Sequence, residues 1–233
     1  MKLVIISDTH GRHENLGILR GDILIHCGDF EQLFEQDNQA IRKIDAWFGR
    51  QEFKHILCIG GNHDLTLEKL VQIKEQPFEN AIYLQDTEFV YEGVKFYGAP
   101  WVPDLSNHAF YANDLALDQA WAKVPRDVDV LVTHTPPVNI LDVSSKGQRL
   151  GCASLSRRLQ ALNPRVHCFG HVHASAGTCV KRGTRYVNAS YQPSTSAFEY
   201  EFVSRSGKSD PKSWWQKIRK LGAKQTSLSR ATT

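Results

Sequence analysis

Leu3-Val4-Ile5-Ile6-Ser7-Asp8-Thr9-His10 sets the pattern for the chain: a short apolar run stops abruptly at polar residues, one of them acidic and one an imidazole. Later segments repeat it. Ile23 to Cys27 leads into Gly28-Asp29, and Ile56 to Ile59 into Gly60-Gly61-Asn62-His63-Asp64. Val128 to Thr133 leads into His134, and Val166 to Phe169 into Gly170-His171-Val172-His173. Such short runs, rich in Val and Ile, read as strands buried on both faces. Helical spacing lies between several of them, as in Asp37 to Arg50 with Ile41, Ile44 and Phe48, and Ser154 to Leu162 with Leu155, Leu159 and Leu162. Glu88 to Gly98, Gly177 to Tyr186 and Ala197 to Val203 read as hairpins or meander strands. The expected fold class is α/β, with two mixed β-sheets.

The 233 residues fit one large domain with an appendage, and 41% hydrophobic content is enough for a proper core. Residues 1–203 are expected to form that domain. Residues 204–233 read as a basic tail, in which Asp210 and Pro211 could open a short amphipathic helix with Trp214, Trp215, Ile218 and Leu221 on one face. Charge divides at the same place. The first 203 residues carry 20 Lys and Arg against 24 Asp and Glu, whereas the tail carries 8 against 1. An acidic body argues against a main surface built for nucleic acid. The tail suits docking on its own domain, contact with anionic lipid, or a protein partner, and self-docking or disorder is the expectation.

No stretch approaches a membrane span, and Met1 to Ile6 is too short an apolar run for a signal peptide. Cys27, Cys58, Cys152, Cys168 and Cys179 are scattered, odd in number and free of Cys-x-x-Cys pairs. They read as thiols in a reducing compartment, and a cytoplasmic location is expected.

The polar groups after the strands carry the chemistry. In an α/β sheet the carboxyl ends of the strands form one edge, where ligands usually bind, so the segments would converge there. Four imidazoles, two carboxylates and one amide suit two divalent transition-metal ions. The Asp-x-His and His-x-His spacings are expected to put both side chains on one side of an extended segment. Two such ions can activate a water and clamp phosphoryl oxygens. The nucleophile would be a metal-activated hydroxide, with His63 as general acid toward the leaving group and Asp64 orienting the His63 ring.

The set Asp8-x-His10, Gly28-Asp29, Gly61-Asn62-His63-Asp64, His134 and Gly170-His171-x-His173 resembles, in order and approximate spacing, the motifs of the calcineurin-like metallophosphoesterase superfamily. Ser7 to Arg12, Leu131 to Pro137, Arg149-Leu150-Gly151-Cys152 and Tyr186 to Ser190 resemble its metallophosphoesterase-domain-containing branch, related to the class III cyclic-nucleotide phosphodiesterases. The resemblance spans about residues 3–203 and implies two mixed sheets packed as a sandwich flanked by helices. It implies one metal held by Asp8, His10, Asp29 and His173, and a second by Asp29, Asn62, His134 and His171, with Asp29 as the bridge. Mn or Fe is preferred, with Zn or Ni compatible. Some mammalian members of the branch lack a histidine at the position of His171; this chain keeps it, which implies a competent enzyme.

The implied activity is phosphodiester hydrolysis on small substrates, with cyclic nucleotides as the first class to test. Substrate contacts are expected from Asn62, His63 and Arg149, whose guanidinium could hold a phosphate. His108 could border the substrate, while His13, His26, His55 and His167 read as surface or core histidines. The alternatives are a phosphomonoesterase or protein phosphatase, and an interaction scaffold with weak catalysis. Protein phosphatases of this superfamily typically have an Arg soon after Gly-Asp and a Glu after Asn-His; here Phe30-Glu31-Gln32 and Asp64 stand there.

Overall fold

A computed structural model describes residues 1–32, 38–194 and 197–203. Residues 204–233, including the helix expected after Asp210, lie outside the described residues.

Eleven strands are described: β1 (Lys2–Ile6), β2 (Ile23–His26), β3 (His55–Cys58), β4 (Ile82–Tyr83), β5 (Thr87–Tyr91), β6 (Val94–Ala99), β7 (Val130–Thr133), β8 (Val166–Phe169), β9 (Gly177–Lys181), β10 (Thr184–Asn188) and β11 (Phe198–Glu201). The α-helices are α1 (Asn38–Phe48), α2 (Leu65–Gln72), α3 (Asp114–Ala122) and α4 (Ala153–Leu159). One sheet has the order β11-β1-β2-β3-β4 and the other β5-β6-β7-β8-β10-β9. Pairing is parallel among β1, β2, β3 and β4, and among β6, β7, β8 and β10. It is antiparallel at β11, β5 and β9. This is the expected α/β fold of two mixed sheets flanked by helices.

Alternation along the strands explains the layers. Leu3, Ile5, Ile23, Ile25 and Leu57 face Phe96, Val130, Val132, Val166 and Val187 between the sheets. The intervening Val4, Ile6, Leu24 and Ile56 pack outward against Ile41, Ile44, Trp47 and Phe48 of α1 and Leu67 of α2. On the other sheet, Tyr97, Ala99 and Leu131 cover Leu117 and Trp121 of α3 and Leu155 of α4. Each central strand is therefore buried on both faces, as the unbroken apolar runs require.

Register brings the carboxyl ends level. Ile6 pairs with His26 and His26 with Cys58, so the segments carrying Asp8, Asp29 and Asn62 leave the sheet side by side. The two sheets join at this edge through a bridge between Ser7 and Ser190 and a hydrogen bond from the Tyr191 N–H to the Ser7 carbonyl.

Two buried imidazoles brace the edge from below. The Thr133 hydroxyl donates to the Thr135 carbonyl at 2.7 Å, so the His167 Nε2–H must donate to Thr133 Oγ1 at 2.9 Å. His26 accepts the Gly28 N–H at Nδ1 and donates from Nε2 to Thr9 Oγ1 at 3.0 Å. The Gly28 N–H leaves no room for a proton on His26 Nδ1, so that ring is neutral, and burial disfavours charge on His167. Burial pushes His167 down from 6.5 to about 3, so between those values the unfolded chain binds a proton that the fold refuses. His167 thus leaves stability unaffected above about pH 6.5 and lowers it by ~1.4 kcal/mol per pH unit below that, down to about pH 3. His167→Gln keeps a donor for Thr133 and removes the titration. Urea unfolding followed between pH 6 and 4 should show the variant losing stability less steeply, by ~1.4 kcal/mol per pH unit.

Candidate functional site

The seven residues expected as metal ligands lie together at the joined edge, but not by alternation along extended backbone. Asp8, His10, Asp29 and His171 have φ of 54°, 44°, 59° and 68°. Left-handed backbone is unfavourable for such residues, and outliers of this kind cluster at functional sites. Each turns the chain just past a strand, and that re-aiming, rather than a shared strand face, makes the side chains converge.

Three atom groups form. Asp8, His10 and His173 offer ligand atoms within 4.8 Å of one another, as do Asp8, Asp29 and His134, and His10, Asp29 and His63. His173 Nε2 lies 3.2 Å from Asp8 Oδ1 and 3.3 Å from His10 Nε2. On the other side, Asn62 Oδ1 lies 3.0 Å from His134 Nε2 and 2.8 Å from His171 Nδ1. Asp29 Oδ2 stands between, 3.3 Å from His134 Nε2 and 3.9 Å from His10 Nε2.

Donor chemistry tests whether these residues fit metal ions. His10 Nδ1 lies 3.0 Å from the Glu31 carbonyl and His134 Nδ1 2.8 Å from the Cys27 carbonyl. A carbonyl only accepts, so Nδ1 carries a proton in both rings, and Nε2, when it is not protonated, turns a lone pair inward. The His134 lone pair meets carboxylate and amide oxygens, which repel it unless a proton or cation lies between. The local field says the same. Burial disfavours charge, yet Asp29 with Asp8 lifts His134 to about 9, while His134 pulls Asp29 down to about 2. A dense set of nitrogen and oxygen bases with excess negative potential fits divalent transition metals.

Asp64 is placed differently from expectation. Its carboxylate accepts the backbone N–H groups of Asp29, Phe30, Glu31 and Gly61 at 2.7 to 3.0 Å. The His63 Nδ1 has no hydrogen-bond partner among the described residues. Asp64 therefore ties the loop after β2 to the loop after β3 rather than orienting the imidazole. Glu31 continues the tie by accepting the Thr66 and Leu67 N–H groups at the start of α2. His63 is held instead through its backbone N–H, which donates to Asp29 Oδ1 at 2.8 Å. Its ring meets His10 edge-on at 4.9 Å and His108 at 6.0 Å between centroids.

Arg149, expected to contact substrate, has a partner in this structure. Its Nη1 donates to the buried Asp142 carboxylate at 2.7 Å, an ion pair within its own loop, and the residue does not line the cleft above the cluster. The open cleft above the cluster, of about 580 Å³, is lined by His10, Arg12, Gln32, His63 and His173. Arg12 and Gln32 were missed; the signal available for Arg12 was a cation two residues beyond His10.

Comparison with known proteins agrees with this geometry. Residues 1–175 match the family model described as calcineurin-like phosphoesterase. The chain belongs to this family. Metallophosphoesterase domain-containing protein 1 of Homo sapiens is 35% identical, over 82% of this chain and 68% of that protein. A UPF0046 protein of Caenorhabditis elegans is 33% identical, over 81% and 69%. A solved structure superposes with a TM-score of 0.63 at 18% identity, covering 85% of this chain and 94% of the other, and so shares the fold. Membership of the metallophosphoesterase family supports a phosphoester hydrolase that uses divalent metal ions. Among the described residues, no helix is long and apolar enough to cross a membrane.

Gly170 exposes the tightness of the cluster. A Cβ there would fall 2.0 Å from both Asp8 Oδ2 and Ser7 Oγ. Gly170→Ala must therefore displace the Asp8 carboxylate, at an overpacking cost of roughly 1–3 kcal/mol. Equilibrium dialysis against Mn should show reduced metal retention, and melting in EDTA should fall by several degrees, roughly 2–4 °C per kcal/mol for a chain of this size.

Proposed function

We propose that the chain is a binuclear metal-dependent phosphodiesterase acting on small phosphodiesters, cyclic nucleotides among them. The observation that carries this reading is the position of Asp29 between two sets of inward lone pairs, with His63 beside them at the cleft. Asp8, His10, Asp29 and His173 would hold one ion, and Asp29, Asn62, His134 and His171 the other. Mn or Fe is the preferred pair, with Zn and Ni compatible with the same bases. When bound, the ions supply Lewis-acid polarisation of the phosphoryl oxygens and an acidified water.

The protein's own groups do the rest. His10 and His134 are fixed as Nδ1–H tautomers by their backbone carbonyls, so their bases cannot rotate away. Asn62 is anchored by a hydrogen bond from the Ala109 N–H to its carbonyl. His63 lines the cleft and is the proton donor to the departing ester oxygen as the P–O bond breaks. Preference for a diester is supported by the lining: Arg12 is the single Arg or Lys among the described residues around the cleft, so the extra charge on a monoester's phosphoryl group meets few cationic side chains.

Metal-stripped protein reconstituted with Mn should hydrolyse bis(p-nitrophenyl) phosphate in preference to p-nitrophenyl phosphate, and Asp29→Asn should abolish the turnover. Cleavage of the monoester alone would reassign the chain as a phosphomonoesterase. No turnover with any metal would favour an interaction scaffold. His63→Ala should slow hydrolysis of a cyclic nucleotide, whose alkoxide needs a proton, by about 10²- to 10⁴-fold. The loss should be much smaller for p-nitrophenolate esters, and equal losses with both leaving groups would remove His63 from the donor role.

A further inference from the structure

Arg12 is exposed, lines the cleft, and meets no carboxylate among the described residues. Its guanidinium lies over the Tyr191 ring, 5.4 Å from the centroid. Tyr191 is buried, and its N–H donates to the Ser7 carbonyl beside Asp8. The neighbouring Gln192 amide donates to the His173 carbonyl at 2.5 Å. Arg12 is thus parked on a rigid aromatic platform at the His173 end of the site. A guanidinium held this way keeps its donor fork free for a ligand and loses little side-chain freedom on binding one.

The rings of His63, His10 and His173 follow one another, with centroid separations of 4.9 and 5.2 Å. Given the proposed reading, on which this inference rests, the leaving group departs at the His63 end. The group that stays on phosphorus lies off the axis of attack, and the cleft wall left to receive it carries Gln32, His173 and Arg12. We infer that Arg12 is a specificity-determining residue that binds a second anionic group, a phosphate or a carboxylate, on the retained half of the substrate. The favoured substrate class is a phosphodiester whose retained moiety carries its own anion, such as a nucleotide with a further terminal phosphate.

Two esters with the same scissile bond test this: thymidine 5′-(p-nitrophenyl phosphate) and its 3′-phosphorylated form. The Mn-loaded protein should prefer the 3′-phosphorylated ester by about tenfold in kcat/KM, chiefly through KM, as a charge-assisted guanidinium contact would give. Arg12→Ala should bring that ratio close to one, and Arg12→Lys should leave an intermediate value. Equal loss with both esters would place Arg12 at the scissile phosphoryl and overturn the inference, as would a ratio unchanged by substitution. Calorimetry with thymidine 3′,5′-bisphosphate and thymidine 5′-phosphate reads the same selectivity without turnover. If neither ester is hydrolysed, the catalytic reading fails while the calorimetric ratio still decides: one that collapses in Arg12→Ala supports the anion subsite, and one that does not overturns it.

Discussion

The molecule is organised around groups that repel one another. Asp8, Asp29, the Asn62 side-chain oxygen and the inward nitrogens of His10, His134, His171 and His173 are all Lewis bases, with neighbouring atoms 2.8 to 3.9 Å apart where the two sheets join. Nothing in a water-filled unfolded chain would bring them together, so the surrounding fold has to hold them. It does so with left-handed backbone at four of them, with glycine where Asp8 presses on its neighbour, and with carbonyls that fix the imidazole tautomers. Each device costs folding free energy, and strain of this kind persists where the surroundings over-determine it.

The over-determination comes from pairs that lie outside the cluster. Asp64 gathers four backbone N–H groups from two loops, and Glu31 caps α2 immediately beyond. His26 and His167 occupy matching positions beneath the two sheets, each holding a threonine next to a residue of the cluster. Neutral histidine suits this task because it donates from one nitrogen without bringing a second charge into a region already rich in carboxylates. The sandwich core then keeps the two sheet edges from separating.

Much of this was legible in the chain because burial on both faces leaves a continuous apolar signature, and because each cluster residue follows such a run directly. The five principal strands and α1 and α4 fall where the apolar patterns put them. α2 and α3 were not read: α2 starts on a cap supplied by Glu31, more than thirty residues away, and α3 buries Leu117, Ala120 and Trp121 while exposing Leu115. The failures inside the site share a cause. Asp64 was paired with His63 because they are adjacent in sequence, whereas three of its four partners lie 33 to 35 residues away. The phosphate contact expected of Arg149 rests on guanidinium chemistry, and nothing in the sequence signals its ion pair with buried Asp142. The alternation rule for Asp8 and His10 assumed extended backbone, and the left-handed turns at both positions remove that premise.

The same geometry divides the labour between the floor of the cleft and its mouth. At the floor, excess negative potential is the condition for holding cations, so a cationic side chain placed there would compete with the ions for the same carboxylates. Arg12 avoids that competition by leaning away on Tyr191, a partner that attracts a cation without neutralising it. On the proposed reading, charge recognition would thereby be separated from charge held for chemistry. If Arg12 has the proposed role, substitution at the mouth would alter which esters are accepted while Asp8, Asp29 and the four imidazoles stay as they are, which would give this fold room to change substrate without rebuilding its most strained part.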